Sequence, residues 1–173
     1  MKKYFKAHMN TAEIFAEMSS STKHKVGCVI ARGDRIISTS FNGTIPGVYN
    51  VCEEFKRLPA ELEKNEKIID CPDCVDKGCN PCIVCEDKGS IIVNDVTLPY
   101  AVTAEENAIM YCVREGLSTK NCVLFSTLSP TAQAARIIAQ SGITKVFYKD
   151  KCKNPKDGID FLLQCGILCF LVS

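Results

Sequence analysis

Residues 122–148 read CVLFSTLSPTAQAARIIAQSGITKVFY, and the changes of hydrophobic period inside this stretch decide the fold. "CVLFST" (Cys122–Thr127) is a short apolar run of the kind that forms a buried strand. "PTAQAARIIAQSG" (Pro130–Gly142) has Pro in its first turn and Gly past its end, which marks a helix at both termini. "KVFY" (Lys145–Tyr148) is a strand again. The alternation continues on both sides. Residues 104–116 read as a helix closed by Gly116, "PKDGIDFLLQCG" (Pro155–Gly166) as another, and "ILCFLV" (Ile167–Val172) as a final strand. Near the start, "AHMNTAEIFAEMSS" (Ala7–Ser20) places Met9, Ile14, Phe15 and Met18 at helical spacing. "KVGCVIA" (Lys25–Ala31) and "RIISTSFNG" (Arg35–Gly43) are β-rich runs joined by "RGD" (Arg32–Asp34), which supplies the Gly and Asp of a tight hairpin. The order is helix, hairpin, a long insertion, then three helix–strand units. It predicts a single three-layer α/β/α domain over residues 1–173, built on a five-stranded mixed sheet.

Composition narrows the functional classes. The chain has 173 residues, long enough for one sizeable core, with 46% hydrophobic and 24% charged residues and a net charge of +1. That balance argues against a basic surface for long nucleic acid and against an acidic disordered tail. No apolar run approaches the ~18 residues of a membrane span. "MKKYFKAHMNTAEIF" lacks the apolar stretch and cleavage site of a signal peptide, so a cytoplasmic protein is expected (host cytoplasm if viral).

In that compartment the 12 cysteines call for metal or burial rather than disulfides. Cys28, Cys112, Cys122, Cys165 and Cys169 lie in apolar segments and read as core. Cys71, Cys74, Cys79, Cys82 and Cys85 instead cluster in "CPDCVDKGCNPCIVC", inside a Gly-, Pro- and Cys-rich insertion at about 44–100. Paired Cys-x-x-Cys knuckles at this spacing point to a structural Zn²⁺ that replaces missing core, with Cys52 or Cys85 completing a second site, spare, or replacing one of the four ligands. The rest of the insertion reads as irregular, apart from one charged helix candidate, "LPAELEKNEK" (Leu58–Lys67).

Three stretches carry a resemblance. "KVGCVIARGDRIISTSFNGTIPG", "TAEENAIMYC" and "LFSTLSPTAQAARIIAQSGITKVFY" resemble, in order, the hairpin and substrate loop, the His-Ala-Glu helix and the strand–helix–strand of deoxycytidylate deaminases. The resemblance covers most of residues 10–150 and implies the cytidine deaminase-like fold. In that family one His and two Cys hold a zinc ion, the metal activates a water for attack on C4 of cytosine, and a Glu shuttles protons. This chain has Thr103 in the place of the His and Thr131 and Ala134 in the places of the two Cys; only Glu105 of the proton-shuttle position is kept. Thr hydroxyls are poor Zn²⁺ ligands beside thiolate and imidazole, and Ala offers none. Without a metal, the water pKa stays near ~15.7 rather than falling to about 7. No catalytic zinc is therefore expected.

The resemblance further implies a pyrimidine pocket at Phe41, Asn42 and Gly43, at Thr103, Ala104 and Glu105, and at Ser129, Pro130 and Thr131. Lys23, His24, Lys25 and Arg32 or Arg35 are candidates for phosphate contacts. The plain structural readings are helix caps for Thr103 and Thr131, a helix N-terminal carboxylate for Glu105, and a strand end and helix entry for the rest. The leading expectation is a non-catalytic nucleotide binder, for example a viral sponge for a nucleotide immune signal. The alternatives are a regulatory or scaffolding partner of an active deaminase and an active enzyme, of the dCMP deaminase type or with a different reaction. A homo-oligomer, dimer or hexamer, is expected from the resemblance.

Overall fold

Strand β1 (Gly27–Arg32) is buried along almost its whole length, because both of its faces are covered. Cys28 and Ile30 point to one side of the sheet, Val29 and Ala31 to the other, as the two-residue period of a strand requires. The computed structural model describes residues 2–78, 81–153 and 156–172. Helix α1 (Lys2–Ala16) precedes β1, and β2 (Arg35–Phe41), β3 (Gly43–Thr44), β4 (Glu53–Arg57), β5 (Lys67–Asp70), α2 (Pro72–Lys77), β6 (Ser90–Thr97) and β7 (Ala101–Val102) follow. The remaining elements are α3 (Ala104–Arg114), β8 (Val123–Leu128), α4 (Ala132–Gln140), β9 (Lys145–Asp150), α5 (Lys156–Gln164) and β10 (Leu168–Leu171). They cluster into two compact units: Met1–Ser19, Lys25–Asn42 and Thr103–Ser173 in the first, and Ser20–His24 with Gly43–Val102 in the second.

The first unit is the expected α/β/α sandwich. Its five strands run in the order β10-β9-β8-β1-β2. β1 is antiparallel to β2 and β8, while β8, β9 and β10 are parallel, so the sheet is mixed. Met9 and Ala12 of α1 pack on Val29, Ala31, Phe125 and Phe147. Gly27 allows this close seating, because a Cβ there would lie 1.8 Å from the Ala12 carbonyl oxygen. On the opposite face Ala104, Ala108, Ala135, Ile138 and Leu162 from α3, α4 and α5 cover Cys28, Ile30, Leu124 and Val146. Two strand hydroxyls fasten α3 to β2: Ser40 Oγ donates to the Ala104 carbonyl at 2.6 Å and Ser38 Oγ to that of Ala108 at 3.0 Å. Cys28, Cys112 and Cys122 are core as expected, whereas Cys165 is exposed and corrects that reading. It lies in the last turn before Gly166, where the chain leaves α5.

The second unit is more regular than its sequence suggests. β6 pairs with both β4 and β5 in an antiparallel sheet, and β3 pairs with β7. Val51, Val84, Ile91 and Val93 form its core with Cys71, Cys82 and Cys85. The expected helix over Leu58–Lys67 is absent. Lys67 opens β5, and Asn65 has a φ of 75°, a left-handed turn that no α-helix interior accommodates. Ion pairs from Lys56 to Glu63 and Glu66 close the 58–66 loop across the sequence instead. Ser21 Oγ and the Thr22 amide both donate to Glu53 Oε1, at 2.9 and 3.0 Å, and hold the 20–24 segment on this sheet. Among the described residues no helix is long and apolar enough to cross a membrane.

Candidate functional site

Two helices of the first unit begin at the positions the sequence singles out. Thr103 is the N-cap of α3, and its hydroxyl accepts from the Glu106 amide at 3.2 Å. Thr131 is the N-cap of α4, and its hydroxyl accepts from the Ala134 amide at 3.3 Å. Each threonine thus satisfies one of the amides that a helix start leaves unpaired. Ala134 is fully buried and Thr131 is exposed.

Glu105 lies in the first turn of α3, only 3% exposed. Ser126 of β8 donates to its Oε1 at 2.8 Å. Burial pushes the Glu105 carboxyl above the ordinary carboxylate range, and hydrogen bonds from its own backbone amide, Ser126 and Thr103 oppose that shift. Cys28, paired in register with Ser126, is buried nearby; burial first and the Glu105 charge second raise its thiol well above the usual value. Glu105 is therefore held by donors from three sides, an arrangement that orients a carboxyl as well as caps a helix.

The remaining positions in the first unit are fixed from behind. Asn42 Oδ1 accepts from the Val26 amide at 2.7 Å, and its own amide donates to the Val26 carbonyl at 3.0 Å. Asn107 Nδ2 holds the Phe41 carbonyl at 2.8 Å. The Ser129 amide donates to the Asp150 carbonyl at 2.8 Å, and its hydroxyl accepts from the Cys152 amide at 2.9 Å. Pro130 is buried, and Gly158 of α5 packs against it: a Cβ on Gly158 would lie 2.0 Å from the Pro130 carbonyl oxygen. Ala104 is buried under Ser40. Gly43 opens β3 in the second unit.

Sequence reasoning missed Ser126 and Asn107. Ser126 carries a readable signal, a hydroxyl in phase with the inward-facing Leu124 of its strand. Asn107 carries none, being one polar residue on a mixed helix. The phosphate candidates divide. Lys23 bonds the Asp95 carbonyl and Lys25 the Glu17 carbonyl. Arg32 and Arg35 pair at the hairpin end of β1 and β2, whereas Gly27 pairs with Phe41 at the other end. Five residues at the rise of a strand separate those ends by about 17 Å, too far for one small ligand to touch Phe41 and either arginine.

The cysteine cluster is in the second unit. The sulfurs of Cys71, Cys74, Cys82 and Cys85 all lie within 4.8 Å of one another. Cys71 and Cys82 are 3.8 Å apart, Cys74 and Cys85 3.5 Å. A tetrahedral site with Zn–S bonds near ~2.3 Å has sulfur–sulfur edges of about 3.8 Å, so the four residues fit Zn²⁺. Without a metal, burial pushes the Cys71 thiol up to about 11, so a cation must displace protons to bind. Cys79, the fifth expected ligand, lies outside the described residues. Cys52 is buried against Ser20 Oγ at 3.6 Å.

The matches to known proteins follow the same order of elements. Residues 2–150 match the family model described as the cytidine and deoxycytidylate deaminase zinc-binding region. The chain belongs to the cytidine and deoxycytidylate deaminase family. It is 32% identical over 168 residues to the deoxycytidylate deaminase of Enterobacteria phage T4, covering 95% of this chain and 87% of that protein. The deoxycytidylate deaminase of Schizosaccharomyces pombe is 29% identical over 159 residues, 92% of this chain and 41% of that one. Among solved structures, dCMP deaminase from cyanophage S-TIM5 in complex with dCMP and dUMP superposes with a TM-score of 0.73 at 25% identity, covering 99% and 98% of the two chains.

The donor set at the α3 and α4 starts differs from the His-Cys-Cys set that the resemblance implies. Thr103 and Thr131 present neutral hydroxyls already used as caps, and Ala134 presents a methyl group. These residues do not fit the family's His-Cys-Cys zinc site. Among the described residues the four cysteines of the second unit are the one group of three or more His, Cys, Asp or Glu placed to share a metal.

Proposed function

We propose that this deaminase-family chain binds a nucleotide at the α3 and α4 starts and does not deaminate it. The observation that carries the reading is chemical: two capping threonines and a buried alanine stand at the positions that the resemblance assigns to the family's three zinc ligands. A carboxylate alone contributes about 10²–10⁴-fold, short of the rate enhancements enzymes supply. The retained frame of Phe41, Asn42, Glu105, Ser129 and Pro130, together with the likeness to a deaminase solved with dCMP and dUMP, supports a pocket of pyrimidine-nucleotide class. Sequestration, not turnover, is the output. In this reading the four-cysteine cluster holds a structural zinc.

Two measurements test the proposal. Incubation with dCMP, dCTP or cytidine and added Zn²⁺ yields no uracil product; metal-dependent conversion overturns the reading. Nucleotides released by denaturing the purified protein are identified by mass spectrometry and come back chemically unchanged. A ligand at ~100 times its dissociation constant adds about 2.7 kcal/mol of stability, and Glu105→Ala reduces that thermal shift. A protein that shows no shift with any nucleotide while co-purifying with an active deaminase is a scaffold instead.

A further inference from the structure

The second unit carries a set of contacts that gather on the Cys82–Cys85 knuckle without involving its sulfurs. Arg57 leaves the end of β4 on the same face as Phe55, by the two-residue period of a strand. Phe55 packs against the core that contains Cys71, Cys82 and Cys85. The Arg57 guanidinium reaches the two residues between the paired cysteines. Its Nε donates to the Val84 carbonyl and its Nη2 to the Ile83 carbonyl, both at 3.0 Å. The exposed Glu86 places Oε1 3.4 Å from the same Nε. Because a trans peptide is planar, holding those two carbonyls also fixes the amides of Val84 and Cys85, which face the other way.

A second grip comes from the turn that follows. Asp87 Oδ1 accepts from the Cys82 amide at 2.6 Å, and the Lys88 amide donates to the Cys85 carbonyl at 3.1 Å. To reach back, the chain takes two successive left-handed residues, Glu86 with a φ of 52° and Asp87 with a φ of 62°. Neither is glycine, so the conformation is unfavourable by itself and persists through the contacts that hold it. The Cys71 amide donates to the Gly89 carbonyl at 2.8 Å and joins the end of this turn to the first knuckle. Arg57, Asp87 and the Cys71 amide thus fix the backbone of residues 82–89 from three places.

We propose that Arg57 and Asp87 are positioning residues of the metal centre, holding the Cys82–Cys85 knuckle in the shape that brings its sulfurs to those of Cys71 and Cys74. The inference rests on the reading of the four-cysteine cluster as a zinc site. Ligands fixed beforehand lose less conformational freedom on binding, so these contacts act on metal affinity. The action is geometric. A guanidinium fork spans two carbonyls at once, whereas an ammonium group is a single compact charge.

The test is competition for zinc between the full chain and a chromogenic chelator, with the Co²⁺-substituted protein as an optical report of tetrahedral thiolate coordination. Arg57→Ala and Asp87→Gly each bind zinc about 10–100-fold more weakly than the wild-type chain. Glycine keeps the left-handed turn and deletes only the acceptor. Asp87→Asn retains Oδ1 and holds zinc as the wild type does. Arg57→Lys keeps the charge but falls nearer to Arg57→Ala than to the wild type. Lys56→Ala, whose side chain pairs with Glu63 and Glu66 instead, leaves zinc affinity unchanged. At saturating Co²⁺ every variant gives the tetrahedral thiolate spectrum. The inference is overturned if Arg57→Ala and Asp87→Gly hold zinc as tightly as the wild type, or if Lys56→Ala weakens it equally. Full retention by Arg57→Lys overturns the geometric account. If the wild-type chain binds neither zinc nor Co²⁺, the zinc reading fails and this inference with it; if it binds both and the variants match it, this inference alone fails. Thermal melting at saturating zinc establishes folding, and should Arg57→Ala not fold, the contrast between Asp87→Gly and Asp87→Asn decides.

Discussion

Replacing Ser126 by alanine tests how Glu105 is held. Ser126 is fully buried, and its hydroxyl donates to Glu105 Oε1 at 2.8 Å. Losing it leaves the carboxyl with the Thr103 hydroxyl and its own amide as donors. A hydrogen bond to a charged group contributes about 1.5–3 kcal/mol, one between neutral groups about 0.5–1.5 kcal/mol. The loss therefore depends on the charge of Glu105. Burial raises its folded pKa above the ordinary value of 4.5. The folded state then binds more protons than the unfolded one between those two values. Its stabilising contribution is complete below the unfolded pKa and is lost as pH rises through the folded pKa. Ser126→Ala removes a donor that favours the ionised form, so the folded pKa rises further. The expected destabilisation is about 1.5–3 kcal/mol on the alkaline side of the folded pKa and about 0.5–1.5 kcal/mol on its acid side. At roughly 2–4 °C per kcal/mol for a chain of this size, the melting point falls by about 3–12 °C where Glu105 is ionised and by less where it is protonated. Urea unfolding at constant zinc concentration measures it, with Glu105→Gln as the second arm of a double-mutant cycle. Glu105→Gln alone removes the buried charge and flattens the pH dependence. Equal losses on both sides of the folded pKa, or the same loss in the Glu105→Gln background, would refute the reasoning.

Elemental analysis of the purified protein finds about one zinc per chain at the cysteine cluster, and Cys74→Ser or Cys82→Ser abolishes it; retention of zinc in both variants excludes these ligands. His8 is buried beside Tyr4 and Phe125, with neither ring nitrogen hydrogen-bonded among the described residues, and desolvation lowers its pKa below 6.5. Its contribution is complete above the unfolded pKa and is lost as pH falls through the folded pKa, so His8→Leu selectively relieves acid destabilisation; an unchanged pH profile contradicts this. Gly158→Ala drives a Cβ into the Pro130 carbonyl and costs about 1–3 kcal/mol or more, with shifted amide resonances at 129–131. A neutral result there means that α5 does not brace the turn.

Several features of this protein are written in its local sequence. The strand–helix–strand of residues 122–148, the hairpin around Arg32–Asp34 and the order of the last three helix–strand units are short-range patterns of period and capping, and the structure keeps them. The identities of Thr103, Thr131 and Ala134 also settle which donors are available before any fold is known, because ligand chemistry belongs to the residue type. Local pattern failed where long-range pairing decided. Leu58–Lys67 has a helical composition, yet β6 draws Lys67–Asp70 into a ladder and Lys56 gathers Glu63 and Glu66 across a loop. Cys165 reads as apolar but falls on the exposed turn just past the end of α5, where the chain leaves the core. Spacing likewise could not show that Cys71, Cys74, Cys82 and Cys85 converge; among the described residues, the fold of the second unit brings those four sulfurs to tetrahedral distances. The hold of Ser126 on Glu105 and the groove that Tyr111 shares with Ile36, Ile37, Ser38 and Thr39 join residues far apart in the chain. Such contacts depend on strand register and helix placement, which tertiary packing alone determines.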